Sequence, residues 1–287
     1  MAVELEIKLT LAETDLEQAV DWLGQQSGVK TEATRQLLNR YYDTPSQDLN
    51  RRKTALRVRQ QDDQFIQTLK TKGEFSGGAH RRNEWEWPLA NDRLDTSLLD
   101  ATPLAGDPVL AHLQPVFETN FERRIVMLCE GEGIIEAAID QGAIVAGGHR
   151  RSLNEVEFEL KSGDPASLLA HALNLASEVP VFLNLVSKAE QGYYLAGQYA
   201  PVVEVSGTDG APISVTGFLH GLSVAWLLGQ SYPVARVDLS QVRAAARGLG
   251  LLDDLEAILA ALGSGVPVAE VAATPALGQL QIRLAAA

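Results

Sequence analysis

Charged and apolar side chains alternate strictly at the start of the chain. Residues 3–9 place Glu4, Glu6 and Lys8 on one parity and four aliphatic side chains on the other. Because neighbouring side chains of an extended chain point to opposite faces, this segment predicts a strand with one ionic face and one apolar face. A single strand of this kind is also typical of an ordinary sheet that exposes its polar face to water.

The same alternation returns several times in the first 200 residues. Further strands are predicted at residues 37–43, 55–59, 65–72, 82–87, 121–129, 134–140 and 155–161. Their polar parity carries almost solely Arg, Lys, Glu and Asp, without the Ser, Thr and Gln that a solvated sheet usually shows. The strand at 121–129 alternates poorly, so the pattern leaves the direction of Arg123 open. Residues 91–117 contain three prolines and predict irregular structure with short helical pieces.

Two amphipathic helices are predicted among these strands. Thr14-Asp15-Leu16-Glu17 has the form of a capping box, and a helix that ends at Gly24 follows it. Asp164 and Pro165 are an N-cap and a first-turn proline for a helix over 165–177. Each helix carries an apolar stripe, which requires an apolar surface to cover.

The character of the chain changes near residue 201, where the alternation stops. Ala-Leu-rich segments at 213–229, 238–248 and 252–262 predict helices separated by Gly and Pro. We therefore divide the chain into a strand-rich domain, residues 1–200, and a helical tail, residues 201–287. The tail lacks the ionic alternation, so we expect it to pack on the strand domain or on a second copy of the chain, as a homo-oligomer, and to serve assembly or stability and not chemistry.

The alternating strands can be assembled in two ways. In an ordinary sandwich or small barrel, the apolar faces point inward and the charges meet water. In the alternative, helices cover an apolar outer wall and the charged faces surround a water-filled bore. The nearly pure ionic composition and the two amphipathic helices favour the alternative, an α+β fold with a charged tunnel. Unpaired buried charges are costly, so such a lining implies a charged ligand.

Composition limits the partners of this domain. The net charge of −13 argues against non-specific binding to nucleic acid or anionic membranes. Cys129 is the only cysteine, which excludes an intramolecular disulfide framework and suits a reducing compartment. No basic flank with an apolar run opens the sequence, and no stretch has membrane-spanning length. We expect a cytoplasmic protein.

The two signs of charge suggest two kinds of ligand. Arg and Lys can hold a polyanion, the former as bidentate phosphate forks. The candidate substrate-binding cations are Lys8, Arg57, Arg59, Lys70, Arg82, Arg123 and Lys188. Carboxylates are hard ligands for Mg²⁺ or Mn²⁺ bridged to phosphate oxygens. The candidate metal ligands are Glu4, Glu6, Asp140, Glu157 and Glu159.

Several other polar residues are expected to lie outside the centre of the tunnel. Lys72, Glu86 and Glu155 are candidates for the barrel rim, and Glu136 and Lys161 for the surface. The five histidines show no metal-ligand spacing, so satisfied or solvated roles are expected for them.

The ionic motifs together resemble the signature of a known family. In chain order they are Glu4-Leu5-Glu6-Ile7-Lys8, Tyr42-Asp43-Thr44-Pro45, Leu56-Arg57-Val58-Arg59, Thr68-Leu69-Lys70, Arg82-Asn83-Glu84, Asp140, Glu157-Phe158-Glu159 and Ser187-Lys188. The first resembles the ExExK signature of the CYTH domains, also called triphosphate tunnel metalloenzymes, and the others follow the family's order over about residues 1–198. The resemblance implies an eight-stranded antiparallel barrel, a divalent metal and hydrolysis or cyclisation of a triphosphate.

Within that family the chain resembles the bacterial inorganic triphosphatases that carry a C-terminal helical CHAD domain. The tail departs from this pattern, because it is much shorter and, apart from His220, has neither the histidines nor the basic helices of that domain. Polyphosphate binding by the tail is therefore not expected.

The function that follows is metal-dependent hydrolysis of inorganic triphosphate to diphosphate and phosphate. Glu4, Glu6 and Glu159 would hold one ion. Asp140 and Glu157 would hold a second ion that activates water, and Lys8 is grouped with them as catalytic. A class IV-type adenylate cyclase remains an alternative, although Trp85 and Trp87 are predicted to face away from the tunnel and leave adenine without a stacking platform. A non-catalytic polyphosphate-binding module is the other alternative.

Overall fold

The computed structural model describes residues 2–287, in which strands and helices segregate along the chain. The strands are β1 (Ala2–Thr10), β2 (Val29–Thr31), β3 (Arg35–Asp43), β4 (Ala55–Gln61), β5 (Gln64–Lys70), β6 (Glu74–Ser76), β7 (Ala79–Leu89), β8 (Gln114–Glu130), β9 (Gly133–Ala146), β10 (His149–Ser162) and β11 (Phe182–Leu183). The helices are α1 (Leu16–Gly24), α2 (Asp48–Arg51), α3 (Ala166–Glu178), α4 (Lys188–Leu195), α5 (Val215–Leu228), α6 (Ser240–Gly248), α7 (Leu252–Gly263), α8 (Val268–Val271) and α9 (Pro275–Ala285).

Eight of the strands close into an antiparallel barrel. Their order is β1-β10-β9-β8-β3-β4-β5-β7, and β7 pairs back with β1, with Glu4 opposite Arg82. The short strands β2, β6 and β11 extend this sheet at β8, β7 and β1. The predicted α+β class and eight-stranded antiparallel barrel are confirmed.

The apolar faces of the strands point outward, under the helices. Ile7 on β1 and Phe158 on β10 are fully buried in one hydrophobic cluster with Leu16 of α1 and with Leu168 and Leu175 of α3. Because side chains alternate along a strand, burying this face against helices turns the ionic face into the barrel. The sequence-based choice of a barrel with a charged interior is confirmed.

The helices after residue 200 pack on the same outer wall. Phe218 of α5 and Leu280 of α9 belong to the hydrophobic cluster that contains Ile7. Gln281 of α9 is 0% exposed. It accepts a hydrogen bond from the backbone N–H of Leu183 at 3.0 Å and donates one to the Leu183 carbonyl at 3.1 Å. The three predicted helices are present, together with α8 and α9. No helix within residues 2–287 has both the length and the hydropathy to cross a membrane.

The largest departure from the predicted elements is β8, which is much longer than the predicted 121–129. It extends over Gln114–Glu130 because it pairs with both β3 and β9 over most of its length. The irregular segment before it forms two short 3-10 helices, Thr96–Ala101 and Pro108–His112. Trp85 and Trp87 face outward, in a cluster that includes Leu99, as the alternation predicted.

Candidate functional site

The barrel encloses a cavity of about 680 Å³, within the usual range for a small-molecule site. Eleven of the twelve candidate site residues line it: Glu4, Glu6, Lys8, Arg57, Arg59, Lys70, Arg82, Arg123, Glu157, Glu159 and Lys188. The remaining candidate, Asp140, is discussed below. The structure therefore brings together residues from six barrel strands and the start of α4, and the individual roles of these residues stay predictions.

One group of charges, the Glu4 cluster, joins β1, β5 and β7 and consists of Glu4, Glu6, Lys70, Arg82 and Glu84. Lys70 Nζ lies 2.8 Å from Glu4 Oε1, and Arg82 Nε donates to Glu4 Oε2 at 2.7 Å. Arg82 Nη2 also donates to Glu6 Oε1 at 2.7 Å, and Lys70 lies 3.2 Å from Glu84. Every cation of this cluster is matched by a carboxylate.

These contacts shift the pKa values of the two β1 carboxylates, Glu4 and Glu6, in opposite directions. Burial alone would raise the pKa of Glu4, but the charges of Lys70 and Arg82 outweigh burial and hold that pKa well below its ordinary value. Burial raises the pKa of Glu6, and repulsion from Glu4 and Glu157 adds to burial and outweighs the attraction of Arg82. Glu6 thus lies close to other negative charge without full compensation.

A second group, the Glu157 cluster, joins β8, β9, β10 and α4 and consists of Arg123, Asp140, Glu155, Glu157 and Lys188. Arg123 makes a bidentate pair with Asp140, at 2.6 Å for both bonds, and reaches Glu157 Oε2 at 2.9 Å. Lys188 Nζ lies 2.7 Å from both Glu157 and Glu155 and 3.0 Å from Asp140. Burial opposes ionisation of Glu157, but Lys188, Arg123 and the more distant Lys8 together hold its pKa well below its ordinary value.

The position of Lys188 follows from the start of α4. Ser187 caps this helix, accepting a hydrogen bond from the Glu190 N–H, while Glu190 accepts one from the Ser187 N–H at 3.0 Å. This capping box places Lys188 in the first turn, where the helix dipole disfavours a cation. The three surrounding carboxylates offset that cost and raise the pKa of Lys188 well above its ordinary value despite burial.

Three further cations, Lys8, Arg57 and Arg59, line the cavity without a carboxylate partner. We call them the unpaired cations, since none of them forms an ion pair with a side chain that the structure describes. Lys8 is 3% exposed. Arg57 Nη1 donates only to the Tyr41 hydroxyl, at 3.4 Å, and Arg59 Nε donates to Asn39 Oδ1 at 2.7 Å.

Among the unpaired cations, Arg59 carries an electrostatic cost, whereas Tyr41, Glu84 and Glu86 outweigh burial and raise the pKa of Arg57. Burial, together with the charges of Arg57 and Arg123, lowers the pKa of Arg59 to about 9. Such depression of an arginine pKa means that positive charge is concentrated beyond what the protein neutralises at this place. An anion bound between these side chains would relieve it.

Four candidate metal ligands line the cavity, namely Glu4, Glu6, Glu157 and Glu159. Burial raises the pKa of Glu159, which is repelled by Glu4 and Glu136, although its partner Lys161 lies 2.8 Å away. Within the described residues, no three acidic, His or Cys side chains converge as a preformed metal site. The oxygen donors and their mutual repulsion fit a divalent cation in their chemistry, and binding one requires the existing ion pairs to rearrange.

Asp140 differs from the other candidate ligands. It is 0% exposed and does not line the cavity. Arg123 occupies both of its oxygens, and its register partner on β8 is Arg123 itself. The structure therefore places Asp140 behind Arg123 and Lys188, and its role as a metal ligand or catalytic residue stays a prediction that this placement does not favour. Glu155, 1% exposed, likewise lies beside Lys188 and outside the cavity lining.

The lining residues that sequence reasoning did not place at the tunnel include His80, Glu136, Lys161 and His220. His80 shares the parity of Arg82 on β7, so the alternation could have identified it. Glu136 and Lys161, both expected on the surface, form an ion pair at 3.3 Å across β9 and β10. Lys161 is exposed as expected, whereas Glu136 is half-buried, and both line the cavity. His220 lies on α5, and no local pattern marks it. The tail, which was expected to serve assembly or stability, thus contributes a residue to the cavity lining.

Comparison with known proteins agrees with this geometry. The CYTH domain family matches residues 2–193, which include every strand of the barrel. An inorganic triphosphatase from Haemophilus influenzae is 37% identical over 162 residues, which are 56% of this chain and 46% of that protein. The chain thus spans less than half the length of this relative.

Two solved structures show the likeness at lower identity. A Hippeastrum protein, described as an adenylyl cyclase with a dominant triphosphatase activity, is 21% identical with a TM-score of 0.49 and covers 69% of this chain and 98% of its own. The Mimivirus capping enzyme triphosphatase is 12% identical with a TM-score of 0.36 and covers 61% of this chain and 89% of its own. The family match extends over more than half of the chain, and this protein belongs to the CYTH domain family.

Proposed function

We propose that this protein hydrolyses inorganic triphosphate to diphosphate and phosphate in its tunnel, with a bound divalent cation. The observation that carries the proposal is the set of unpaired cations, Lys8, Arg57 and Arg59, inside a closed barrel. A buried cation without a counter-ion is unfavourable unless a ligand supplies the missing charge. A small polyanion fits both the sign of the charge and the size of the cavity.

Phosphate is the anion that best matches these side chains. The guanidinium groups of Arg57 and Arg59 can donate pairs of hydrogen bonds to phosphate oxygens, and Lys8 adds a point charge. Arg57 and Arg59 lie on β4 and Lys8 lies on β1, which is separated from β4 by β5 and β7 in the barrel. Because all three line one cavity, they can contact different phosphates of one chain. Binding and orienting the phosphates in this way contributes much of the catalysis of phosphoryl transfer.

The carboxylates on the cavity wall support a metal requirement. Glu4, Glu6, Glu157 and Glu159 would hold Mg²⁺ or Mn²⁺, which when bound supplies charge neutralisation at the phosphate oxygens. We assign Asp140 the role of orienting Arg123, because its two carboxylate oxygens accept hydrogen bonds from the Arg123 guanidinium. Arg123 and Lys188 then present their remaining donor capacity to the cavity.

The lining favours an inorganic substrate over a nucleotide. The aromatic side chains that reach the cavity are Tyr41, Phe121 and Tyr193. Phe121 already lies beneath Arg123 and Lys188, each about 5.6 Å from the ring centre, and Tyr41 stacks on Phe117 with centroids 4.6 Å apart. Trp85 and Trp87 are outside. The relative from Haemophilus influenzae is also named an inorganic triphosphatase.

A substrate comparison tests the proposal. Purified protein is incubated with triphosphate, diphosphate or ATP, with Mg²⁺, Mn²⁺ or a chelator, and released phosphate and cyclic AMP are both measured. We expect phosphate release from triphosphate, dependent on added metal and faster than from ATP. Dominant formation of cyclic AMP would establish a cyclase instead. Tight binding of triphosphate without turnover in either metal would establish a polyphosphate-binding module.

A further inference from the structure

The C-terminal helix α5 reaches the tunnel. His220 lines the same cavity as Lys8 and Arg82, although it lies outside the segment that matches the CYTH family. Leu185, which comes shortly before the active-site helix α4, lines the cavity beside it. The helix on which His220 lies is therefore part of the cavity wall.

Contacts of neighbouring residues on α5 fix the position of the helix at His220. Ser223 Oγ accepts a hydrogen bond from the Leu185 N–H at 2.9 Å and donates to the Leu219 carbonyl at 3.0 Å. Because residues three apart share a helix face, this bond turns the His220 side toward Leu185 and the cavity. Phe218, Leu219 and Leu222 are each 0% exposed and anchor the other sides of the helix. His220 is thus placed by a rigid element.

His80 lies on the barrel side of the same cavity. It is opposite Glu6 in the β1–β7 register, and its ring contacts Phe75 with centroids 5.0 Å apart. Its Nε2 atom is buried and has no hydrogen-bond partner among the described residues. Burial, with the charges of Lys8 and Arg82, lowers the pKa of His80 to about 3, and His220 adds to this effect.

We propose that His220 and His80 together bind phosphate oxygens of the triphosphate, so that the C-terminal segment supplies part of the substrate site. An imidazole N–H is a hydrogen-bond donor to a phosphate oxygen. The Nε2 atom of His80 is buried without a protein partner, and His80 lines the cavity that also contains the unpaired cations, so an anion in this cavity is the partner available to it. The inference rests on the proposed triphosphate specificity, but it concerns binding and not the hydrolytic step.

Substitution of His220 tests the inference through the kinetic constants. For His220→Ala we expect KM for triphosphate to rise about tenfold, the loss of one hydrogen bond to a charged group, with kcat nearly unchanged. His220→Asn keeps an N–H donor and should restore part of the affinity. His112→Ala is the matched control, since His112 is exposed on a short 3-10 helix and does not line the cavity. Thermal melts of all variants report their folding.

A binding measurement separates this inference from the proposed reaction. Triphosphate is titrated into the full chain without metal, and the imidazole signals of the five histidines are followed by NMR after assignment by single substitution. We expect the signals of His80 and His220 to shift and that of His112 to stay. If these signals shift but no turnover occurs with any metal, the binding role stands and the hydrolase proposal falls. If turnover is normal while His220→Ala changes neither KM nor any binding signal, the inference is overturned and the hydrolase proposal stands.

Discussion

The two kinds of cation in the tunnel differ in what they do before any ligand binds. In the Glu4 and Glu157 clusters, every cation lies within 3.2 Å of at least one carboxylate. The unpaired cations Lys8, Arg57 and Arg59 line the same cavity without any carboxylate partner. Counting charged residues in a tunnel therefore says little about its ligand, whereas the cations left without partners identify where an anion belongs.

The difference separates stability from binding. Removing a paired cation leaves buried carboxylates uncompensated, so the folded state loses free energy. Removing an unpaired cation breaks no close ion pair with a described side chain, so the folded state loses less and the bound anion loses a contact. The two kinds of substitution should consequently produce opposite patterns of stability and activity.

The largest effect is expected for Lys188→Met, in the Glu157 cluster. Lys188 compensates Asp140, Glu155 and Glu157, all buried or partly buried. Its removal should lower the free energy of unfolding by about 3–5 kcal/mol, the cost of leaving a buried partner unpaired. Urea denaturation followed by circular dichroism measures this loss.

Arg243→Gln is the surface control, since the Arg243 and Glu256 side chains are 40% and 45% exposed. We expect this substitution to change the free energy of unfolding by less than about 1 kcal/mol. Equal stability of Lys188→Met and the wild type would contradict the division into paired and unpaired cations.

Arg57→Met should show the converse pattern. Arg57 is buried and forms no close ion pair with a described carboxylate, so we expect the free energy of unfolding to fall by much less than in Lys188→Met. The value of kcat/KM for triphosphate should fall about 100-fold, because a charge-assisted contact to phosphate is lost. Steady-state kinetics and urea denaturation of one preparation measure both quantities. A loss of stability comparable to that of Lys188→Met, with activity retained, would assign Arg57 to the fold.

Acid should weaken the paired clusters by a smaller amount. The pKa of Glu4 and that of Glu157 are lowered from the ordinary value of 4.5, so their contribution to stability is complete above about pH 4.5 and is lost as pH falls through the lower folded values. Glu6 has a raised pKa and contributes in the opposite sense, with stability lost as pH rises. Glu159, whose pKa is also raised, contributes in the same sense as Glu6. We expect the net stability to decline below about pH 4.5, because the pKa values of Glu4 and Glu157 are held well below the ordinary value.

The urea midpoint measured between about pH 7 and about pH 3 reports this decline. Glu157→Gln removes one titrating group of the Glu157 cluster, so its midpoint should be lower near neutral pH and should depend less on pH. A variant that loses stability in acid as steeply as the wild type would show that Glu157 is not among the groups responsible.

Alternation along the strands allowed much of the tunnel to be predicted. The side chains of a strand point to opposite faces whatever the strand pairs with, so the parity of Glu4, Glu6 and Lys8 already placed them on one face. The concentration of ionic residues on that face, with helices predicted to cover the other, favoured a charged interior. Arg123 shows the limit of this reasoning, since its strand alternates poorly and only pairing with β9 fixed its direction.

Only the tertiary structure decided which charges find partners and which elements meet at the cavity. Asp140 has the same parity as a ligand would, but its pairing with Arg123 and the arrival of Lys188 from α4 bury it behind the lining. His220 follows the barrel in sequence and lines the tunnel because α5 packs on the barrel. Ser223 of α5 accepts a hydrogen bond from the Leu185 N–H in this contact. Parity is a local property of the backbone, whereas burial and ion pairing depend on residues that are distant along the chain. The sequence therefore determined which face of a strand each side chain occupies, and the fold determined which ion-pair partners it meets.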